Sequence, residues 1–428
     1  MTLSRTARIR ALAQADIVEA QRMLSALLGD LFGMRARNVR INFDKYSLNS
    51  LNGFFENDGE AYFFKFHQEE REEAMTGEYY RAEILSRAGL PVDQPVHMSA
   101  EPGEQILIYR RRGDPRFSDV LYALDARDDA GKRREAVLAE RDLSAKLLEV
   151  YLQTLHPVTV VDVAAEPIHR LFHERLIDAR TGQSPGGRLA DFYIGKPFVF
   201  PGAELDWDEF SRLKFVINGQ RYTRSVGELF EAAATRLRPD RLADAGGVVA
   251  HGDAHNANVW YTAKEGGAEL SFFDPAFAGS HVPTLLAEVK ATFHNIFAHP
   301  FWLYDPATAT QTFRAHARAE GGLLHVDTDW ELSPVRRDLL DVKAADLWRP
   351  LLLELKRRGM LPADWRSVLR SGLFLSPTLV MNLRAGARSH TPVSSLIAFS
   401  VAVMVGSEPE TGANQVTDFL DKIDPERA

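Results

Sequence analysis

The residues able to do chemistry crowd into one short stretch, His251-Gly252-Asp253-Ala254-His255-Asn256-Ala257-Asn258, followed downstream by Phe272-Phe273-Asp274-Pro275. Asp253 can accept a proton from a hydroxyl, and Asn258 and Asp274 offer the hard oxygen ligands that Mg²⁺ takes. Apolar runs at Gly247 to Ala250 and at Leu270 to Phe273 read as short buried strands. The spacing predicts a proton acceptor on a loop at one strand end and a second carboxylate at the end of the next strand. A rival reading gives His251, Asp253 and His255 to a transition metal in a hydrolase, since imidazole and carboxylate suit such ions. It leaves Asn258, Asp274 and an upstream lysine, Lys65, without a task. The plainest alternative is a surface hairpin with incidental polar residues.

Asp253, an Asn five residues on and a later Asp are also the set that phosphoryl transfer requires. The pattern His-Gly-Asp-x-His-x-x-Asn, followed by an apolar strand and Asp, resembles the catalytic and metal-binding loops of the aminoglycoside phosphotransferase and choline kinase family. These are small-molecule kinases with a protein-kinase-like fold. The resemblance implies an α+β, bilobal architecture: a small antiparallel-sheet N-lobe with a leading helix over 1–112, and a larger, mainly helical C-lobe over 113–428. It implies ATP or GTP as donor, Mg²⁺ as cofactor, and a small-molecule hydroxyl as acceptor: an aminoglycoside, amino-alcohol, sugar or similar. Under it Asp253 is the catalytic base, Asn258 and Asp274 hold the metal, and His251 and His255 fix the loop through hydrogen bonds.

Several elements must position this loop. Residues 13–33 carry apolar groups at helical spacing. Val39, Ile41 and Phe43 alternate with polar residues, and Gly53 to Glu56 and Ala61 to Phe66 read as two further strands joined by a turn at Asn57-Asp58-Gly59. Lys65 lies in the aromatic run Tyr62-Phe63-Phe64-Lys65-Phe66, where a lone charge needs a partner. By resemblance it grips the nucleotide phosphates and is held by Glu78, or by Glu83, of a helix over 69–88. The turn between the first strands, with Ser47, Asn49 and Ser50, would cover those phosphates, although it lacks the glycines of protein-kinase loops. Gln105 to Tyr109 would be the hinge strand whose backbone meets the nucleotide base. Arg110, Arg111 and Arg112 read either as a solvated turn or as residues that hold an anionic substrate.

Dense mixed charge over 125–142 reads as an exposed loop entering a helix that stops before Pro157, with His156 structural. Residues 166–240 are the least family-like and are the natural acceptor-site insertion. They hold a hairpin turn at Asn218-Gly219 and a helix over 226–237. After Asp274 a helix is expected over 284–297, where relatives place an Asp that braces the loop; here Glu288 is the substitute. The rest of the chain reads as helical, with His294, Tyr304, Trp348 and Arg384 among its candidate pocket residues.

Composition narrows the partners. A net charge of −8 without a basic tract counts against nucleic acid and gives mild encouragement to a cationic substrate. With no cysteine there is neither disulfide nor thiolate chemistry. Arg5, Arg8 and Arg10 are not followed by a continuous apolar segment, and the apolar run at Leu396 to Val405 is too short to span a bilayer. The expectation is a cytoplasmic protein, monomer or homodimer, without a membrane partner. A kinase-fold sensor that binds nucleotide or metabolite without turnover, and a kinase of a protein or surface glycan, remain as alternatives.

Overall fold

Residues 4–42, 50–67, 81–99, 101, 104–298 and 300–427 are described by the computed structural model. Five strands form the N-terminal sheet: β1 (Arg37–Asn42), β2 (Ser50–Asn57), β3 (Glu60–His67), β4 (His97–Ser99) and β5 (Ile106–Arg110). They pair in the order β1-β2-β3-β5-β4, antiparallel throughout. Asp58 and Gly59 both take positive φ, 51° and 86°, which lets a two-residue turn follow the strand twist. One sheet face buries Leu51, Phe55, Phe64, Phe66 and Ile108 against Ile9, Leu24 and Leu28 of two helices, Arg5–Ala15 and Ile17–Phe32. The sequence predicts one helix there. Asp16 divides it, because its carboxylate accepts the Glu19 N–H at 3.1 Å and caps a new helix.

A second, larger core fills the C-terminal region and also takes in Leu85 and Leu90, from the helix Ala82–Arg87 and the turn after it. The fold is α+β and two-lobed. The mixed charges of 125–142 ride on a helix, Ala130–Thr154, that buries Ala136, Ala139, Leu143 and Leu147 along one stripe. Asp129 caps it by accepting from the Gly131 and Lys132 N–H groups at 3.0 and 3.1 Å. The expected loop is therefore a solvated helical face, because Lys132, Arg134, Glu135, Arg141 and Asp142 point outward, while Glu140 turns into the core. A further helix, Phe117–Ala126, precedes it.

Short strands β6 (Phe198–Phe200) and β7 (Ala203–Leu205) form a hairpin, and β8 (Lys214–Ile217) and β9 (Gln220–Arg221) form the one expected at Asn218-Gly219. The helix Val226–Arg236 follows, opened by a Ser225–Glu228 capping box. Around the catalytic stretch, β10 (Gly247–Ala250) pairs with β13 (Gly279–Pro283), and β11 (Val259–Lys264) with β12 (Gly267–Phe272). The helix expected over 284–297 is shorter: one turn, Val289–Thr292, widening into a π turn over Phe293–Phe297.

The expectation that the remaining chain is helical fails at β14 (Ala315–Glu320) and β15 (Leu323–Thr328). Buried Ala315 and Ala317 alternate with exposed His316 and Arg318, and Gly321-Gly322, both with positive φ, make the turn. The sheet runs β14-β15-β8-β9, with β15 parallel to β8. Segment 166–240 and the C-terminal third therefore share one sheet. No helix among the described residues is long and apolar enough to cross a membrane; the Leu396 to Val405 run lies in a buried helix, Pro392–Gly406.

Candidate functional site

Two hairpins present the catalytic stretch. β10 delivers His251, whose backbone turns at Gly252 with φ 75°; a Cβ there would stand 2.5 Å from the Phe277 carbonyl oxygen, so only glycine fits. The fully buried His251 ring accepts the Asp253 N–H at Nδ1 (3.3 Å) and donates from Nε2 to the Phe273 carbonyl (3.0 Å). It thereby joins the Asp253 loop to the Asp274 loop. With both ring nitrogens spent on backbone, His251 is not placed as a metal ligand. Among the described residues no three His, Asp or Glu side chains are grouped to hold a metal ion, and the transition-metal reading lacks its ligand set.

Asp253 is buried, and its Oδ1 lies 2.6 Å from the Lys290 ammonium and 3.6 Å from His255 Nε2. Burial works against the carboxylate, but Lys290 together with the His255 and His251 rings outweighs it and holds Asp253 below the usual carboxylate range. Burial pushes Lys290 down, with Asp253 opposing that shift. Burial also drives His255 down to about 4, and its ring lies 5.3 Å from that of His294. His294 in turn meets the Tyr304 hydroxyl at 3.1 Å. Asn295 accepts the Asn256 N–H on its side-chain oxygen at 2.7 Å. Lys290, His294 and Asn295 all come from the short helix and its π turn, so this segment is what braces the loop.

Asn258 donates its side-chain amide to the Asp253 carbonyl at 3.0 Å and receives the Phe273 N–H on its backbone oxygen at 3.0 Å. Asp274 stands beside it in a left-handed backbone conformation, φ 56°, that Asp tolerates better than most residues. Lys65 sits between inward-facing Phe64 and Phe66 and so points to the opposite sheet face, where its ammonium donates to Asp274 Oδ1. This bond crosses from the N-terminal sheet to the C-terminal region. Tyr109 is opposite Phe63 on β3, and burial raises its hydroxyl pKa well above the usual range, with Asp274 adding to the shift.

Other expectations land differently. Ser47, Asn49 and Glu78 lie outside the described residues, and Ser50 is the first residue of β2, opposite His67. Glu83 is exposed and pairs with Arg87 at 2.5 Å, so it does not hold Lys65. Glu288 does not brace the loop: it is fully buried, accepting from Tyr151 (2.6 Å) and Lys343 (3.1 Å). Arg112 is not a solvated turn; its guanidinium is taken up by groups of the chain itself. It binds Asp93 and Asp114 and donates to Ser271 and Thr262, all between 2.7 and 3.1 Å. His156 is structural, held by Thr154 O and His281.

Sequence reasoning missed Lys290 and Asn295. The available signal was a lysine inside an apolar run, Leu285 to Phe297, which needs a buried partner just as Lys65 does. The donor set suits Mg²⁺: a carboxylate and an amide oxygen on adjacent loops, with an ammonium already seated on the carboxylate as a cation would be.

No family model and no curated protein matches the chain. Among solved structures it is similar to the aminoglycoside phosphotransferase APH(4)-Ia, at 10% identity over 90% of this chain and 99% of that one, TM-score 0.42. It is also similar to an ethanolamine kinase of Plasmodium vivax, at 10% identity over 93% and 94%, TM-score 0.44. A third is the spectinomycin phosphotransferase APH(9)-Ia in complex with ADP and spectinomycin, at 13% identity over 89% and 98%, TM-score 0.35. Likenesses this distant carry no argument about the chemistry of this chain, which rests on its own residues.

Proposed function

We propose that the chain is a phosphotransferase that moves the terminal phosphoryl group of ATP or GTP to a hydroxyl of a small molecule. The observation that carries this reading is the meeting of Lys65, from the N-terminal sheet, with Asp274, beside the loop on which Asn258 is tied to Asp253. These residue types in this arrangement are what phosphoryl transfer asks for, since its catalysis is mainly positioning and charge stabilisation.

In this reading Asp253 orients the acceptor hydroxyl and takes its proton as that oxygen bonds to the terminal phosphorus. The bond to the bridging oxygen breaks and releases the nucleoside diphosphate. Lys290 keeps the Asp253 carboxylate ionised, and His251 and His255 hold the loop. Lys65 exchanges Asp274 for the phosphate oxygens. Asn258 and Asp274 would hold Mg²⁺, which when bound neutralises phosphate charge. Ser47, Asn49, Ser50 and the backbone at Tyr109 would complete the nucleotide cradle, with Glu78 the partner of Lys65. The N-terminal lobe to about residue 112 takes the nucleotide, and 166–240 borders the acceptor.

A thermal-shift series tests this, because a ligand that binds only the folded chain raises Tm by mass action. ATP or GTP should raise Tm only with Mg²⁺, and Asp274→Ala should remove the Mg²⁺ dependence. No shift with any nucleotide would sink the reading; shifts without any acceptor-dependent turnover would leave a sensor.

A further inference from the structure

The π turn that braces the catalytic loop is itself held from behind. A carbonyl in the last turn of a helix has no N–H within that helix to accept. For Asn295 the partner is Arg336, whose Nη1 donates to its carbonyl at 2.6 Å. The rest of that guanidinium is spent on Asp125: Nη2 lies 2.6 Å from Oδ2, and Nε lies 3.3 and 3.2 Å from the two carboxylate oxygens. Ser333, at the start of the helix Pro334–Val342 that carries Arg336, donates to the same carboxylate at 2.6 Å. Both charged side chains are shut off from solvent, at 2% and 0% exposure. Asp125 opens the run that the sequence reads as exposed charge, and the fold buries it as an anchor.

These groups enclose one short turn. Asn256–Asn258 is a 3₁₀ turn that begins three residues after Asp253 and ends on Asn258. The helix Phe117–Ala126, which carries Asp125, packs against this turn. The helix Pro334–Val342 packs against both that helix and the π turn. From the π turn, the buried Asn295 side chain accepts the Asn256 N–H at 2.7 Å. A buried route therefore runs from Asp125 through Arg336 and Asn295 to Asn256, with a hydrogen bond at each step.

We propose that Arg336 is a positioning residue: through Asn295 it fixes the turn that presents Asn258, and so sets how well Asn258 and Asp274 fit Mg²⁺. This rests on the phosphotransferase reading. Groups behind a metal ligand orient it, and their loss weakens metal binding by about 10- to 100-fold. A guanidinium suits the task because its planar fork holds a carboxylate and a carbonyl at once, whereas an ammonium is a point charge. The plainer account is that the Arg336–Asp125 pair only joins two helices. That account predicts lower stability on substitution and no change in the metal requirement.

The test is a Mg²⁺ titration, with ATP and with GTP, of the nucleotide-induced rise in Tm. The nucleotide's own affinity for Mg²⁺ is common to parent and variants, so a difference in the half-saturating concentration belongs to the chain. Arg336→Lys keeps a cation beside Asp125 but gives up the bond to Asn295, and Asn295→Leu removes the acceptor of the Asn256 N–H. Each should raise the half-saturating Mg²⁺ concentration by about tenfold or more. Asn295→Asp, which keeps an oxygen for that N–H, should stay near the parent. The double variant Arg336→Lys/Asn295→Leu should need no more Mg²⁺ than Asn295→Leu alone, because the two residues act in series. Where Arg336→Lys does not fold, the neutral pair Asp125→Asn/Arg336→Gln, which leaves no unpaired charge, takes its place with the same expectation. An unmoved Mg²⁺ requirement in either single variant, or additive effects in the double variant, overturns the inference, while the nucleotide shift of the parent keeps the kinase reading alive. No nucleotide shift in the parent would remove both.

Discussion

Asp253 and Lys290 form a buried ion pair at 2.6 Å, and this pairing decides what the carboxylate can do. A carboxylate held low stays ionised through the neutral range, where it orients a hydroxyl and takes its proton late, as the phosphorus bond forms. Asp253→Ala should lower kcat by about 10²- to 10⁴-fold, the usual worth of a positioned base, while the Mg²⁺-nucleotide Tm shift persists. Near-normal turnover would show that another group is the base. Lys290→Met should move the acidic limb of the pH–kcat profile to higher pH, since Asp253 then keeps burial and loses its cation; Lys290→Arg should restore it. An unmoved limb would mean that Lys290 does not act through Asp253. His255 makes a separate, pH-dependent contribution to folding. Its folded pKa of about 4 lies below the unfolded value of about 6.5, so the unfolded chain binds its proton first on acidification. Stability conferred by the neutral ring is therefore complete above about pH 6.5 and is lost towards about pH 4, by roughly 3 kcal/mol at most. Denaturant titrations across that window should show a shallower pH dependence in His255→Gln than in the parent. Equal slopes would place the His255 titration elsewhere.

At the level of elements, the loop is held less by its own sequence than by what closes around it. Gly252 is legible as a turn glycine, but the reason it cannot change is the Phe277 carbonyl 2.5 Å from where a Cβ would stand. Gly252→Ala should cost about 1–3 kcal/mol, from backbone strain at positive φ together with that contact. Thermal melting would reveal it, and a variant as stable as the parent would show that the turn can relax. The strands were legible where alternation and turn chemistry agreed, as at Asp58-Gly59 and Asn218-Gly219. Gly321-Gly322 offers the same turn signal between β14 and β15, yet β14, Ala-His-Ala-Arg-Ala-Glu, lacks the β-branched and aromatic residues that announce a strand. Dense charge misled in the opposite direction over 125–142, because a solvated helix face and a loop share that composition.

Across the whole molecule, two polar knots, one buried and one half-buried, tie distant elements. Glu140, Glu288, Lys343 and Tyr151 meet in the C-terminal core. Burial works against the Lys343 ammonium, but the two carboxylates outweigh it and hold its pKa above the usual lysine range. Lys343→Met should destabilise the chain by about 3–5 kcal/mol, since it leaves two buried carboxylates without a cation. A loss below about 1 kcal/mol would mean that the carboxylates take up protons instead. The second knot is Arg112, which joins Asp93 and Asp114 to the β11–β12 hairpin and so fixes the segment that follows β5 to the strand pair before Asp274. By itself the sequence determined the candidate set Lys65, Asp253, Asn258 and Asp274, because residue type and local spacing along strands and turns are properties of short stretches. Only the tertiary structure decided which charges face one another. Lys65 meets Asp274 across 209 residues, Lys290 and not Glu288 faces the loop, and Arg336 joins Asp125 to the Asn295 carbonyl. Such pairings depend on how helices and sheets pack in three dimensions. No periodicity of 2 or 3.6 residues encodes that packing.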